Sequence, residues 1–186
     1  MKKALFIDRD GTLILETDDF MIERMDKVTF YPEVFYWLGK IVRELNYELV
    51  LVTNQDGLGS DFFPDEPFFT THKFIMNVFA NEGIVFADEH IDRTFPNEEK
   101  DTRKPGIGML KKYFNGEYDL ANSFVIGDRI TDVMLAKNLG AKAFWLNDGR
   151  DLGGYEIEHT KETLRDVIVS ESRSWKDIYE FLKAKG

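Results

Sequence analysis

The 186 residues contain no cysteine. Disulfides, thiolate nucleophiles and thiolate-ligated zinc are therefore excluded by composition, and a reducing cytoplasmic location is expected. Histidine is scarce as well: His72, His90 and His159 are scattered, and no motif places them in a site. Cations are in the minority, with 24 Lys and Arg against 34 Asp and Glu and a net charge of −10. That balance disfavours nucleic acid and anionic membrane surfaces as partners. No apolar run approaches the roughly 20 residues that cross a bilayer. The run after Lys3 holds four apolar residues before Asp8, too few for the apolar region of a secretion signal, so a soluble intracellular chain is expected.

What remains is rich in core-forming side chains. Hydrophobic residues make up 43% and aromatic residues 14%, including sixteen Phe, too apolar for a disordered chain. The length suits a single domain over 1–186, with a core over about 1–165 and a terminal helix over about 174–184. Short apolar runs at 4–7, 49–52, within 84–91, and at 124–126 and 143–146 alternate with helical spacing, the pattern of α/β architecture. Their near-continuous apolarity suits parallel strands covered on both faces. Between them, Val34, Trp37, Leu38, Ile41, Val42 and Leu45 form a helical stripe, and 71–80 reads the same way. Shorter helices are expected at 109–114 and 133–139, the second stopped by Gly140. Ser174 offers an N-cap to a last helix carrying Trp175, Ile178, Tyr179 and Leu182. Residues 17–31, 56–70 and 96–106 read as long loops, which in an open doubly wound sheet crowd the carboxyl ends of the strands.

The chemistry sits at those ends. Strand one runs into Asp8-Arg9-Asp10-Gly11-Thr12, two carboxylates separated by one residue. Like charges that close raise one another's pKa unless a cation or a shared proton intervenes, and a hard divalent ion such as Mg2+ suits oxygen ligands beside a phosphate. Strand two ends in Thr53-Asn54, a hydroxyl and an amide able to donate to an anion. Arg103-Lys104-Pro105 brings two cations to an acidic neighbourhood, and lysine suits phosphate as a point charge. Strand four ends Gly127-Asp128-Arg129-Ile130-Thr131-Asp132. Asp128 is placed to complete a metal site with Asp8, while Asp132 either joins the site or caps the following helix.

In this order the four pieces resemble the haloacid dehalogenase superfamily of phosphohydrolases, over about residues 4–147. The resemblance implies a Rossmann-like parallel sheet sandwiched by helices, with a minimal cap. It implies Asp8 as the nucleophile that becomes an aspartyl phosphate and Asp10 as the general acid, then base. It further implies Mg2+ held by Asp8, the Asp10 carbonyl and Asp128, with Thr53, Asn54 and Lys104 on the phosphate oxygens. Phe6 to Ile14, Thr53-Asn54-Gln55-Asp56-Gly57-Leu58-Gly59 and Arg103-Lys104-Pro105 look like the histidinol-phosphate phosphatase branch. That branch acts on a small phosphorylated substrate bearing an ammonium and an imidazole. Glu16, Asp18 and Asp19 follow the first motif closely enough to face the amine, Gln55 is a further candidate for the same pocket, and Arg103 is expected to bind substrate beside Lys104.

In some bacteria such a phosphatase is the N-terminal half of a bifunctional enzyme whose other domain is a dehydratase, so a fused dehydratase and a free-standing enzyme are both compatible readings. The heptose bisphosphate phosphatases are the sibling alternative, although they usually have Ser-Gly after Thr-Asn-Gln where Asp56 stands here. A phosphoaspartate receiver domain is the non-enzymatic rival. Its acceptor acid usually ends the third strand, and here the cluster ends the first. Both phosphatase groups typically carry a zinc loop before Arg-Lys-Pro, but the matching positions here are Asp92, Thr94, Lys100 and Thr102, which build no four-coordinate zinc. Elemental analysis of the purified chain is expected to find far less than one zinc per chain; a stoichiometric, tightly held zinc would overturn this expectation.

Overall fold

The computed structural model describes residues 1–146 and 161–185. A six-stranded, wholly parallel sheet forms its centre. The strands are β1 (Ala4–Ile7), β2 (Glu48–Asn54), β3 (Asp88–Asp92), β4 (Phe124–Gly127), β5 (Lys142–Leu146) and β6 (Ile168–Ser172), in the spatial order β3-β2-β1-β4-β5-β6. The helices are α1 (Val34–Glu44), α2 (Asp65–Asn81), α3 (Ile130–Leu139), α4 (Lys161–Leu164) and α5 (Trp175–Lys185). This order is that of the doubly wound fold, whose direction reverses between β1 and β4. Crossovers leaving β1 and β4 run to opposite sides there, and the gap between them receives Asp8 from one strand end and Asp128 from the other.

The pleat divides each central strand between two cores. Leu5, Ile7, Leu49, Leu51, Phe124, Ile126, Phe144 and Leu146 face one way, onto Val34, Leu38 and Ile41 of α1, Ile75 and Phe79 of α2, and Trp175, Ile178 and Leu182 of α5. Their neighbours Ala4, Phe6, Val50, Val52, Val125, Ala143 and Trp145 face the other, onto Ile130, Val133, Ala136 and Leu139 of α3 and Leu110 and Tyr113. Both faces are thus apolar, which is why these strands read as unbroken hydrophobic runs.

Three expectations change in detail. The helix predicted at 71–80 starts earlier, at Asp65, with two acids in its first turn where the helix dipole favours them. Residues Gly108–Phe114 form a 3-10 helix, not an α-helix. β6, half-exposed at the sheet edge, has no counterpart among the predicted strands. Residues 147–160, part of the predicted core and including His159, lie outside the described residues.

α5 does more than cover the sheet. Trp175 is 1% exposed, and its indole Nε1 donates to the Thr12 carbonyl at 3.0 Å, tying the last helix to the turn that follows Asp10. Trp175→Ala is expected to cost about 3–5 kcal/mol of unfolding free energy through the cavity and the orphaned carbonyl. Urea denaturation measures it, and a loss under about 1 kcal/mol would show that the anchor is dispensable.

Candidate active site

Asp8 leaves β1 buried, its amide donating to the Ile126 carbonyl at 2.9 Å, so pairing continues one residue past the strand. Its Oδ1 accepts the Arg9 amide at 2.8 Å and lies 2.8 Å from Lys104 Nζ. Lys104 is buried too. Its ammonium also reaches Asp132 Oδ1 at 2.7 Å and the Val52 carbonyl at 2.9 Å, spending all three hydrogens. Burial pulls its pKa down, but Asp132 and Asp8 outweigh that and hold it above the usual lysine range.

Asp132 resolves the alternative left open by the sequence by doing both tasks. Its Oδ2 accepts the Arg129 amide at 3.1 Å, closing the N-terminus of α3, while its Oδ1 holds Lys104. Gly127 is required beside it, because a Cβ there would stand 2.2 Å from the Asp132 carboxyl carbon. Asp8, Asp128 and Asp132 each offer a carboxylate oxygen within 4.8 Å of the others.

Among the described residues, the carboxylate of Asp128 has no partner of its own. It is 5% exposed, and neither carboxylate oxygen has a hydrogen-bond partner. Burial, then the charges of Asp8 and Asp132, push its pKa well up. Gly11, at φ 72°, leaves room for it, since a Cβ at Gly11 would sit 2.1 Å from Asp128 Oδ2. Burial likewise pushes Asp8 up to about 6 and Glu16 up to about 7, the charge of Asp10 adding to the second. Five acids (Asp8, Asp10, Glu16, Asp128, Asp132) thus adjoin three cations (Arg9, Lys104, Arg129). The surplus is two negative charges, what one divalent ion cancels. The donors are oxygens, so the site fits a hard cation such as Mg2+.

Other sequence candidates are placed with partners of their own. Asp10 is gripped by Arg9, Nε to Oδ1 at 2.8 Å and Nη2 to Oδ2 at 3.1 Å, and by Gln55 Nε2 at 2.7 Å. Gln55 also donates to Thr53 Oγ1 at 2.9 Å. Asn54 makes a two-way clasp with the Lys104 backbone, accepting from its N–H at 3.0 Å and donating to its carbonyl at 3.1 Å. Arg103 pairs with Asp56 at 2.5 Å and donates to the Thr94 carbonyl at 2.9 Å. Glu16 Oε2 holds Arg129 at 2.7 Å, while its Oε1 is buried without a partner. Asp18 is exposed, and Asp19 binds Lys27 at 2.6 Å on the surface.

Two cations went unmarked in the sequence. Arg9 is fully buried, its guanidinium 4.6 Å from the centre of the Phe68 ring, and Arg129 lies over Phe20 at 5.4 Å. Arg9 pairs with the adjacent Asp10, whereas Arg129 pairs with Glu16, far away in sequence, so adjacency to a motif aspartate does not by itself name the partner.

A family model described as HAD-hydrolase-like matches residues 101–168. The chain is 47% identical over 187 residues to the histidine biosynthesis bifunctional protein HisB of Spirosoma linguale, covering 98% of this chain and 49% of that one. It is also 47% identical to the protein of the same name from Bacteroides fragilis, over 98% of this chain and 48% of the relative. The crystal structure of D,D-heptose 1,7-bisphosphate phosphatase from B. bronchiseptica, complexed with magnesium and phosphate, superposes over the whole of both chains with a TM-score of 0.79 at 21% identity. Residues 101–168 thus match the HAD-hydrolase-like family. Over nearly its whole length the chain is similar to the bifunctional histidine-biosynthesis proteins, and it spans about half their length.

The raised acids give a pH signature. In the metal-free chain Asp8 and Glu16 keep protons up to about 6 and 7, whereas unfolded they release them at 3.8 and 4.5. Between those values the folded state binds more protons, so its stability falls as pH rises. Chelator-treated protein is expected to lose about 4 kcal/mol between pH 5 and 7.5, from these shifts alone, and to regain it with Mg2+. Denaturant titrations across that window check it; flat or rising stability without metal would contradict the charge assignment.

Proposed function

We propose that the chain is a Mg2+-dependent phosphomonoesterase that hydrolyses L-histidinol phosphate to L-histidinol and phosphate, the cytoplasmic phosphatase unit of a histidine-biosynthesis enzyme. The observation that carries the chemistry is Asp8 held against a buried, fully charged Lys104 beside an unpartnered Asp128. The two donors on Asp8 Oδ1 fix the carboxylate and leave Oδ2 to attack phosphorus. As the Asp8–phosphorus bond forms, the bond from phosphorus to the ester oxygen breaks, and Asp10 gives that oxygen its proton. Asp10 then takes a proton from water as the water attacks the aspartyl phosphate, releasing phosphate and restoring Asp8.

Lys104 lowers the repulsion between two anions meeting in a dry site. Asp8, Asp128 and the Asp10 carbonyl would hold Mg2+, which supplies charge neutralisation when bound. Arg9 and Gln55 donate to both oxygens of Asp10 and fix where its carboxylate stands.

The substrate class is supported by the relatives, which are named for histidine biosynthesis, and by Glu16. Its buried Oε1 has no partner. An ammonium delivered there finds an acceptor already desolvated, which makes Glu16 the first candidate for the histidinol amine, with Asp18 on the exposed side of the same loop. The bifunctional name of the relatives, of which this chain matches half, supports a dehydratase as the companion activity in the longer proteins.

A phosphate-release screen over histidinol phosphate, heptose bisphosphate and common sugar phosphates is expected to single out histidinol phosphate. EDTA stops turnover and added Mg2+ restores it. Asp8→Asn lowers kcat by at least about 10^3-fold, since it removes the attacking group. An Asp8→Asn variant near the wild-type rate in metal-replete buffer would remove the nucleophile from this scheme.

A further inference from the structure

Asp92 closes β3 and is 4% exposed, yet no salt bridge reaches it among the described residues. Three donors of a single loop serve its carboxylate instead. Oδ1 accepts from the Thr94 amide at 2.8 Å and the Thr94 hydroxyl at 2.5 Å, and Oδ2 accepts from the Thr102 hydroxyl at 2.6 Å. Both ends of the loop 94–102 thus meet on one side chain. From there the contacts continue to the phosphate-binding end of the site. The Thr94 carbonyl takes Arg103, Arg103 pairs with Asp56, and the next residue, Lys104, is clasped by Asn54 and inserts between Asp8 and Asp132.

We propose that Asp92 is a positioning residue, a carboxylate clamp that closes this loop by hydrogen bonds alone and so sets where the Lys104 ammonium stands. Positions 92, 94 and 102 are three of the four that match the zinc loop of the resembling phosphatases. Here they converge on each other with no soft ligand among them. The fourth, Lys100, is exposed, and its carbonyl accepts the Arg103 amide at 3.2 Å. A buried carboxylate is tolerated only when its oxygens are satisfied, so the clamp is selective for the closed loop: opening it strands the charge of Asp92 in the interior. Pinning both ends also removes the loop-closure entropy that would otherwise let Lys104 wander. The catalytic consequence rests on the function proposed above, whereas the closure of the loop does not.

The test compares Asp92→Ala, Asp92→Asn and Thr102→Val with the wild-type chain, reading hydrogen exchange at residues 93–103 alongside kcat and KM for histidinol phosphate. Asp92→Ala is expected to speed exchange in that segment by at least about tenfold and to lower kcat/KM by about 10- to 100-fold, because small displacements of a charge-bearing group are costly. Exchange in β1 and α5 stays as in the wild type. Thr102→Val, which frees one end, falls between. Asp92→Asn rescues to within about threefold, since its oxygen still accepts from Thr94 and the Thr102 hydroxyl can accept from its NH2. Treating the wild type with a zinc-selective chelator leaves exchange at 93–103 unchanged. The proposal is overturned if Asp92→Ala leaves the segment protected, if it loosens the whole sheet equally, if Asn is as damaging as Ala, or if the chelator alone loosens the loop. Should Asp92→Ala fail to fold, unaltered exchange in Thr102→Val is the overturning result. A wild type without phosphatase activity counts against the proposed function, and the exchange arms still decide Asp92.

Discussion

Lys104 brings one positive charge into the interior and has three acceptors waiting for it: Asp8, Asp132 and the Val52 carbonyl. Without that ammonium, Asp8 and Asp132 would be two like charges facing each other at low dielectric, an arrangement that resolves only by taking up protons or opening the structure. With it, the ends of β1, β2 and α3 are drawn to one point. The geometry at the switch point follows from this pairing, because Asp8 ends β1, Val52 lies in β2 and Asp132 begins α3. Asp128 stands beside the group, and neither of its carboxylate oxygens has a partner among the described residues.

A second principle runs through the surrounding shell: most polar groups near the site are committed to holding other protein groups. Asn54 clasps the backbone of Lys104, Gln55 links Asp10 to Thr53, Arg103 is paired with Asp56, and Arg9 is spent on Asp10. Such ties cost conformational freedom at folding, before substrate arrives, and so lower the reorganisation needed in the transition state. Glu16 departs from the pattern. One oxygen holds Arg129 and the other is buried unpaired, the disposition of a group whose second partner comes from outside the chain.

Much of this was legible in the sequence because the central strands are buried on both faces. β1, β2, β4 and β5 announce themselves as apolar runs, and the acids that follow β1 and β4 stand at the ends those runs define. β6, Ile-Val-Ser-Glu-Ser, is an edge strand with one neighbour, so its alternating, half-exposed residues carry no continuous signal. The early start of α2 was hidden by Pro67, which reads as a break, although Phe68 already belongs to the buried stripe that Thr71, Ile75 and Phe79 continue. Residue types alone could not divide the labour among Thr53, Asn54, Gln55 and Arg103, because all can bind phosphate and all can bind protein. Arg9 was invisible for a different reason: adjacency to two aspartates does not reveal that its side chain turns inward onto Phe68 and Asp10.

The central claim is that phosphorus bonds to Asp8 at the point where Lys104 and the carboxylate cluster meet. A crystal structure grown with Mg2+ and beryllium or aluminium fluoride reads this directly. The account predicts the fluoride mimic joined to Asp8 Oδ2, with the cation against Asp8 and Asp128. A mimic seated away from Asp8, with Asp128 still unpartnered, would contradict it.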